Sequence, residues 1–164
     1  MYSWLVYIHV FATLIFMFMH GVTGLVSFRL RTERNLESIR AMISLYASPG
    51  AFSIMYLSLL FLLGAGIWAG FQGGWWGYGW IWLSLGLLIA ISVAMYLVGT
   101  KFYTQVRKAV GMPYMQGSKE MPAEEPLSAA EIDALLSKTP AVLIAVIGVG
   151  GIGLILWLMM FKPF

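Results

Sequence analysis

The 164-residue chain contains no cysteine, and charged residues make up only 10% of it. Without cysteine there is no disulfide, no thiolate nucleophile and no Cys-ligated metal centre. A soluble domain carries about 25% charged residues. The scarcity of charge, together with 60% hydrophobic residues, indicates a protein that works in lipid.

The long apolar stretches of the chain also lack charge: no Asp, Glu, Lys or Arg lies inside any of them. Pumps and proton-coupled transporters place ionisable groups at membrane depth and accept a cost of several kcal/mol for doing so. The sequence therefore argues against active transport by this chain alone. It also offers no Ser/His/Asp set and no paired carboxylates for acid–base catalysis.

Four apolar stretches dominate what is present. A helix of about 20 apolar residues crosses a bilayer core about 30 Å thick. The sequence thus predicts an all-α fold, a single integral membrane domain built as a bundle of four transmembrane helices. The predicted spans cover about residues 2–28, 49–72, 79–100 and 140–161.

The charges are concentrated in two connectors, residues 29–48 and 101–139, which hold nine of the ten basic residues and all seven acidic ones. Because Lys and Arg near span ends are retained in the cytoplasm, we expect cytoplasmic connectors and both termini outside. The compact loops and the lack of a targeting segment favour a bacterial inner membrane. The net charge of +3 suits anionic lipid headgroups, so no nucleic-acid partner is expected.

Two short amphipathic helices are predicted within the connectors. Residues 33–45 carry Leu36, Ile39 and Ile43 on one side, which favours a helix lying on the inner membrane surface. A Ser-x-x-Glu capping box at residues 128–131 predicts a second helix, lying against the membrane or a partner.

Proline and glycine mark the breaks between these elements. Residues 113–126 are polar and proline-rich, which predicts an irregular loop. Ser48-Pro49 and Thr139-Pro140 each predict an N-cap followed by a proline at the first helical position.

The turn between the second and third spans is rich in aromatic residues. Residues 73–78 read Gly-Gly-Trp-Trp-Gly-Tyr, and Trp80 and Trp82 follow. Because Trp and Tyr prefer the headgroup zone, we expect this turn to anchor the protein at the outer interface, at the level of Trp4 and Tyr7.

The two histidines, His9 and His20, are the residues most able to carry chemistry. They lie 11 positions apart in the first span, within about 20° of one helix face and about 16 Å apart along the axis. A neutral imidazole in lipid must satisfy both its N–H and its lone pair. It does so by bonding a carbonyl or hydroxyl, or by ligating a metal or tetrapyrrole. Both are therefore candidate haem-iron ligands, with structural hydrogen bonding as the alternative.

A haem held by one of these histidines would need a second ligand from elsewhere. A methionine, a histidine of a partner chain, or the same residue across a dimer could supply it, although methionine in a membrane helix usually serves packing. The 11 methionines of the chain also leave copper handling open as a third reading. Haem b is thus a possible cofactor, but the sequence contains no feature that requires one. The candidate methionines are Met55, Met95, Met159 and Met160.

The pattern resembles one family of membrane proteins. An early histidine in Trp-Leu-Val-Tyr-Ile-His9-Val precedes a basic turn, and a Thr-Pro-led final span closes with Lys162-Pro-Phe. This is similar to the four-helix superfamily of HemJ-type protoporphyrinogen oxidases, copper-resistance CopD domains and related membrane proteins without an assigned activity. The resemblance implies that His9 binds haem. The chain departs from the HemJ pattern in having no lysine within residues 79–100, and Phe16 stands in the region where a tryptophan is expected.

Two functions follow from these observations. The first is a non-catalytic accessory subunit of a larger bioenergetic membrane complex, with the bilayer and other membrane subunits or further copies of itself as partners. The alternative is a haem-b-binding redox protein of the protoporphyrinogen-oxidase type, an enzyme acting on a porphyrinogen or quinone through His9 and His20.

Overall fold

The computed structural model describes residues 1–46 and 49–164. It confirms the predicted all-α fold. The strands form one small antiparallel pair, β1 (Tyr114–Gln116) and β2 (Lys119–Met121). The α-helices are α1 (Tyr2–Leu30), α2 (Leu36–Tyr46), α3 (Pro49–Gly73), α4 (Gly79–Met95), α5 (Lys101–Ala109), α6 (Ala129–Leu136), α7 (Ala141–Ala145) and α8 (Gly151–Phe161).

Two of the long helices contain a π-helical turn. Tyr96–Thr100 joins α4 to α5, and Val146–Gly150 joins α7 to α8. With these junctions the described residues form four helices long and apolar enough to cross a membrane, as an integral membrane protein requires. We call them spans one to four: Tyr2–Leu30, Ser53–Gly73, Gly79–Ala109 and Ala141–Phe161.

The spans pack against one another in the order two, one, four, three. Span one packs along span two over much of its length, and it also meets the first half of span four. Span four in turn packs along span three. Because connectors 29–48 and 101–139 both lie at one end of this bundle, we call that end the connector end.

The larger of two clusters of buried apolar side chains in the described residues lies at the connector end, and we call it the connector core. From α2 it includes Ile39 and Ile43, which are at most 1% exposed, and α6 contributes Leu136. The two predicted helices are present, but the apolar sides that were expected to contact the membrane or a partner are buried within the protein itself. The apolar sides of α2 and α6 pack against the ends of α1 and α5. This packing removes their apolar surface from water, as contact with lipid would have done. The core comprises Val26, Leu30, Ile39, Ile43, Tyr103, Val106, Ala109, Val110, Ile132, Leu136 and Ile144.

Charged and polar groups hold the connectors to this core. The Arg40 Nε–H donates to the carbonyl of Val110 at 2.9 Å, and Arg34 Nε lies 2.5 Å from a carboxylate oxygen of Asp133. The predicted capping box begins α6: the Ser128 hydroxyl accepts from the Glu131 N–H, and the Ser128 N–H donates to the Glu131 carboxylate.

The region expected to be an irregular loop, residues 113–126, contains the β1–β2 hairpin instead. Gln116 pairs with Lys119 across a two-residue turn, and Gly117 takes a left-handed conformation with φ of 64°. A Gly-Ser pair between two short extended segments is a recognised hairpin signal. The proline-rich composition around it obscured that signal.

The start of span four also differs from the prediction. Pro140 occupies the N-cap position, and the helix begins at Ala141. The Thr139 hydroxyl donates back to the carbonyl of Leu136, so this residue closes α6 and does not cap span four. Pro49 is the first residue of α3, as expected, whereas Ser48 lies outside the described residues.

The tryptophans of the turn that was expected to anchor the protein at the outer interface differ in exposure. Trp82 is 59% exposed, but Trp80 is only 2% exposed. Trp80 packs in a small apolar cluster with Ile81 and with Leu158 of span four, and its backbone N–H donates to the backbone carbonyl of Phe164 at 3.3 Å. Trp75 of the same turn also contacts Trp80, but Leu158 lies almost 80 residues away in the chain, so local composition could not indicate that contact.

Candidate functional site

His9 contacts span two in a notch over a glycine. Its Nδ1 lies 2.7 Å from the backbone carbonyl oxygen of Leu62, so Nδ1–H is the donor. A Cβ atom on Gly66 would lie 2.7 Å from Nδ1 and 2.8 Å from Cε1 of the ring. The imidazole can therefore approach span two only because residue 66 has no side chain.

His20 lies on the same face of span one but meets different helices. Its Nδ1 lies 3.2 Å from the carbonyl of Phe16, one turn earlier, and the two rings have centroids 4.3 Å apart. Across from it is Gly148 in the π-helical turn of span four. The position of a Gly148 Cβ is 3.6 Å from His20 Cδ2 and 3.9 Å from Met95 Sδ.

Both histidines are in the same hydrogen-bonding state. An Nδ1–H donated to a carbonyl leaves Nε2 as the nitrogen that carries the lone pair. Histidines that ligate metals are oriented by a bond of this kind, and purely structural histidines make the same bond. The arrangement thus satisfies the N–H of each ring and leaves Nε2 with a lone pair that could accept a hydrogen bond or ligate a metal.

The same side of span one carries hydroxyl groups that are largely satisfied by their own helix. Thr13 donates to the carbonyl of His9, and Thr23 donates to that of Met19. Ser27 donates to the carbonyl of Thr23 and is also hydrogen-bonded to the Tyr103 hydroxyl. The Ser27–Tyr103 pair is buried and ties span one to the continuation of span three.

The predicted site residues therefore lie at two separate helix contacts. Of the four methionines considered, Met95 lies beside His20, whereas Met160 is 72% exposed. Phe16 is buried beside His20, while Phe11, Phe18 and Phe28 are exposed on the outside of the bundle. Across residues 1–46 and 49–164, no three His, Asp or Glu side chains are grouped so that they could hold a metal ion.

A second feature is an apolar groove between spans two and three, which we call the lateral groove. Its volume is about 320 Å³. The Ser92 hydroxyl donates to the carbonyl of Leu88 in its own helix, so the groove walls are effectively apolar. The lining residues are Leu59, Leu63, Leu85, Leu88, Ile89, Ser92 and Val93.

Sequence reasoning singled out the histidines but missed Leu62, Gly66 and Gly148 as their neighbours. One signal was available. His9 follows the start of span one by about as many residues as Gly66 precedes the end of span two, and these two ends lie on the same side of the bundle. With a rise of 1.5 Å per residue, the two residues are therefore at the same depth. Depth alone does not tell which helix faces which. That depends on packing across the bundle.

Comparisons with protein-family models, curated proteins and solved structures found no match to this chain. The resemblance to the HemJ- and CopD-type superfamily stays a prediction drawn from its motifs. The features of the chain that could carry a function are its two histidine contacts and the lateral groove.

Proposed function

We propose that the protein is a small, non-catalytic accessory subunit that binds a transmembrane helix of a larger membrane complex in its lateral groove. The observation that supports this is the groove itself, whose two walls belong to spans that are not packed together along it. Its volume of about 320 Å³ could accept side chains that protrude from a neighbouring helix.

Small residues beside the groove favour a helix as the occupant. Gly86 lies next to the lining residue Leu85 and is exposed, with open space where a Cβ would be. Ala90, one helical turn further on, is exposed as well. Helices associate in membranes through close packing of small faces, whereas flexible lipid tails have no need of such a face.

The proposed orientation places the connectors in the cytoplasm of a bacterium and both termini outside the inner membrane. The basic residues of connectors 29–48 and 101–139 support this arrangement. The connector core then forms a folded cap on the cytoplasmic side, where it too could contact the complex.

The test is site-specific photo-crosslinking in intact membranes. A photoreactive amino acid replaces Ile89 in the groove, and the matched control replaces Phe18 on the outer side of span one. The two side chains are 67% and 71% exposed, respectively, so exposure alone does not separate them. We expect one discrete protein adduct from position 89 and none from position 18. Equal adducts from both positions, or only lipid adducts from position 89, would reject the proposal.

Haem binding is the second candidate function. It is favoured by the anchored Nδ1 atoms, which leave a lone pair on Nε2 of His9 and of His20, and by the resemblance at His9. Haem b held at His9 would give the chain a redox role on a porphyrinogen or quinone. A reduced-minus-oxidised spectrum of protein purified in mild detergent tests it. Sharp haem bands lost in His9→Ala would support this function, and a flat spectrum from folded protein with its partners retained would reject it.

A further inference from the structure

Lys101 and Lys138 are basic residues of the connectors whose charges no carboxylate neutralises. Both are exposed, and neither side chain forms an ion pair or a hydrogen bond with any residue that the structure describes. The sequence around them offers no counter-ion, since residues 79–119 and 134–164 contain no Asp or Glu. By contrast, four other basic residues of the connectors form ion pairs with carboxylates: Arg29, Arg34, Arg40 and Lys108.

The depth of these two lysines can be measured from the opposite end of the bundle. Spans three and four are level there, because the backbone N–H of Trp80 donates to the Phe164 carbonyl and Trp80 packs with Leu158. A bilayer core takes about 20 helical residues, and each of these spans contains one π-helical turn. Counted forward from Gly79 and back from Phe161, the spans therefore reach the other boundary near residues 99 and 141.

Both lysines thus lie at the headgroup level of the connector end. Lys101 follows residue 99 by two positions, and Lys138 precedes residue 141 by three. Spans three and four pack along each other, and packed helices lie about 8–10 Å apart, so the lysines belong to neighbouring helix ends at one depth. A lysine at this level extends its ammonium group among the headgroups while its methylene stem stays against apolar surface.

Exposed apolar side chains lie on the membrane side of each lysine. Leu97, one turn before Lys101, is 50% exposed, and Val142, four residues after Lys138, is 57% exposed. Val146, a further turn into span four, is 62% exposed. These helix ends therefore present cations above apolar surface, which matches a phospholipid with its phosphate above its acyl chains.

We propose that Lys101 and Lys138 bind the phosphate groups of anionic phospholipids, such as phosphatidylglycerol, at the connector ends of spans three and four. Anionic headgroups attract basic residues that lie near the membrane surface. A zwitterionic lipid carries its own cation beside the phosphate, so unneutralised ammonium groups favour a lipid with a net negative charge. At the opposite end of the bundle, the ammonium group of Lys162 already lies over the Trp75 ring.

This proposal goes beyond the accessory-subunit function and does not rest on it. The lining residues of the lateral groove include neither lysine. Loss of the lipid preference would leave crosslinking at position 89 unchanged, and loss of crosslinking would leave the lipid preference unchanged. The failure of one proposal can therefore be told from that of the other.

The experiment adds phosphatidylglycerol or phosphatidylcholine to the full chain in mild detergent and measures bound lipid by native mass spectrometry. The two variants are Lys101→Gln and Lys138→Gln, and the matched control is Lys119→Gln. Lys119 is also exposed, but it lies in β2, which follows α5. The last residue of α5, Ala109, is about 15 Å beyond residue 99 along the helix. Each change removes one exposed positive charge, and an unchanged unfolding midpoint confirms that each variant is folded.

We expect the parent to bind the first phosphatidylglycerol at least about tenfold more tightly than phosphatidylcholine, because two basic residues contribute. Each of the two lysine variants should bind it about fivefold more weakly, the factor that corresponds to one basic residue near an anionic surface. Lys119→Gln should bind as the parent does, and excess inorganic phosphate should leave the lipid bound.

The proposal is overturned if the parent shows no preference for phosphatidylglycerol or if either Lys101→Gln or Lys138→Gln keeps the affinity of the parent. An equal loss in Lys119→Gln would overturn it as well, because net charge alone would then explain the binding. Displacement of the lipid by inorganic phosphate would also overturn it, since the lysines would then form a site for the free anion.

Discussion

The imidazole of His9 donates its Nδ1–H to the carbonyl oxygen of Leu62 across the contact between spans one and two, at 2.7 Å. Leu62 lies inside a helix whose backbone groups bond one another, so the bond from His9 is an additional link between the two spans. Hydrogen bonds between transmembrane helices contribute about 0.6 kcal/mol on average, and up to about 1.7 kcal/mol. The bond depends on the missing side chain at Gly66.

Gly66→Ala is expected to destabilise the protein by about 1–3 kcal/mol, because its methyl group would overlap the His9 ring and force it away from Leu62. Gly148→Ala is the matched control. Its Cβ would lie in ordinary contact with its neighbours, the nearest atom being 3.6 Å away, and alanine favours helix by about 1 kcal/mol over glycine. Thermal unfolding in detergent should show a lower midpoint for the first variant and an unchanged or higher one for the second. Equal losses would argue against the His9 notch.

The hydrogen-bonded pair Ser27 and Tyr103 should behave as a coupled unit in a double-mutant cycle. Both residues are at most 3% exposed, and removing one hydroxyl from a buried pair costs about 1–3 kcal/mol. Ser27→Ala and Tyr103→Phe should each lower stability, and the double variant should lose less than the sum of the two. Ser92→Ala is the control, since its exposed hydroxyl donates to the carbonyl of Leu88 in the same helix. Strict additivity would contradict the coupling.

Lys162 should stabilise the aromatic end of the bundle through its ammonium group. Its Nζ lies 4.0 Å from the centroid of a Trp75 ring and 5.7 Å from that of Trp80. The residue holds a left-handed conformation with φ of 46°, which is unfavourable for a side chain other than glycine. Cation–π contacts contribute about 0.5–2 kcal/mol, so Lys162→Gln should lower the unfolding free energy by about that amount.

The control for this prediction is Lys138→Gln, a change at an exposed lysine beyond α6. Surface substitutions of this kind stay within about 0.5 kcal/mol. If both lysine variants unfold at the midpoint of the parent in detergent, the aromatic contact contributes nothing to stability.

The contact between Tyr114 and Glu124 makes the hairpin region sensitive to pH. The Tyr114 hydroxyl donates to the Glu124 carboxylate at 2.6 Å, and Lys108 lies 3.3 Å from the same oxygen. The hydrogen bond from Tyr114, and then that from Lys108, lowers the pKa of Glu124. The same bond to Glu124 raises the pKa of Tyr114.

The signs of these two shifts define the pH window of the contact. The lowered pKa of Glu124 means that its carboxylate stabilises the folded state at pH values above the ordinary carboxyl pKa of about 4.3. This stabilisation is lost as the pH falls through the lowered pKa. The raised pKa of Tyr114 means that its protonated hydroxyl stabilises the folded state at pH values below the ordinary phenol pKa of about 10. This stabilisation is lost as the pH rises through the raised pKa. Carbon NMR of labelled Tyr114 should therefore show one environment at neutral pH and a change at acidic pH. Glu124→Gln should abolish the acidic change, and its persistence would refute the assignment.

Much of the architecture could be predicted from short-range patterns. Apolar length placed the four spans, the Ser128–Glu131 capping box placed the start of α6, and Pro49 placed the start of α3. The hairpin at Gly117 was missed, although its turn signal was present in the sequence. Each of these features depends on residues within a few positions of one another, so the chain carries the information locally.

The candidate site was predictable only in part. The residues His9 and His20, their shared face and their depths follow from helix geometry. Their neighbours do not, because the rotation of each span about its axis is set by packing against other spans. Nothing local indicated that His9 would meet Leu62 while His20 meets Met95 and Gly148.

The sequence by itself determined that this is a helical membrane protein with four spans, charged connectors at one end and two histidines as its only ionisable groups at membrane depth apart from tyrosine. Only the tertiary structure decided that α2 and α6 pack against the ends of α1 and α5 and that Trp80 is buried against Leu158. It also decided that spans two and three leave a groove between them. The physical reason is that the length of an apolar stretch and the residues of a turn are local properties of the sequence. Which surface each apolar side chain or imidazole contacts depends instead on packing between residues far apart in the chain.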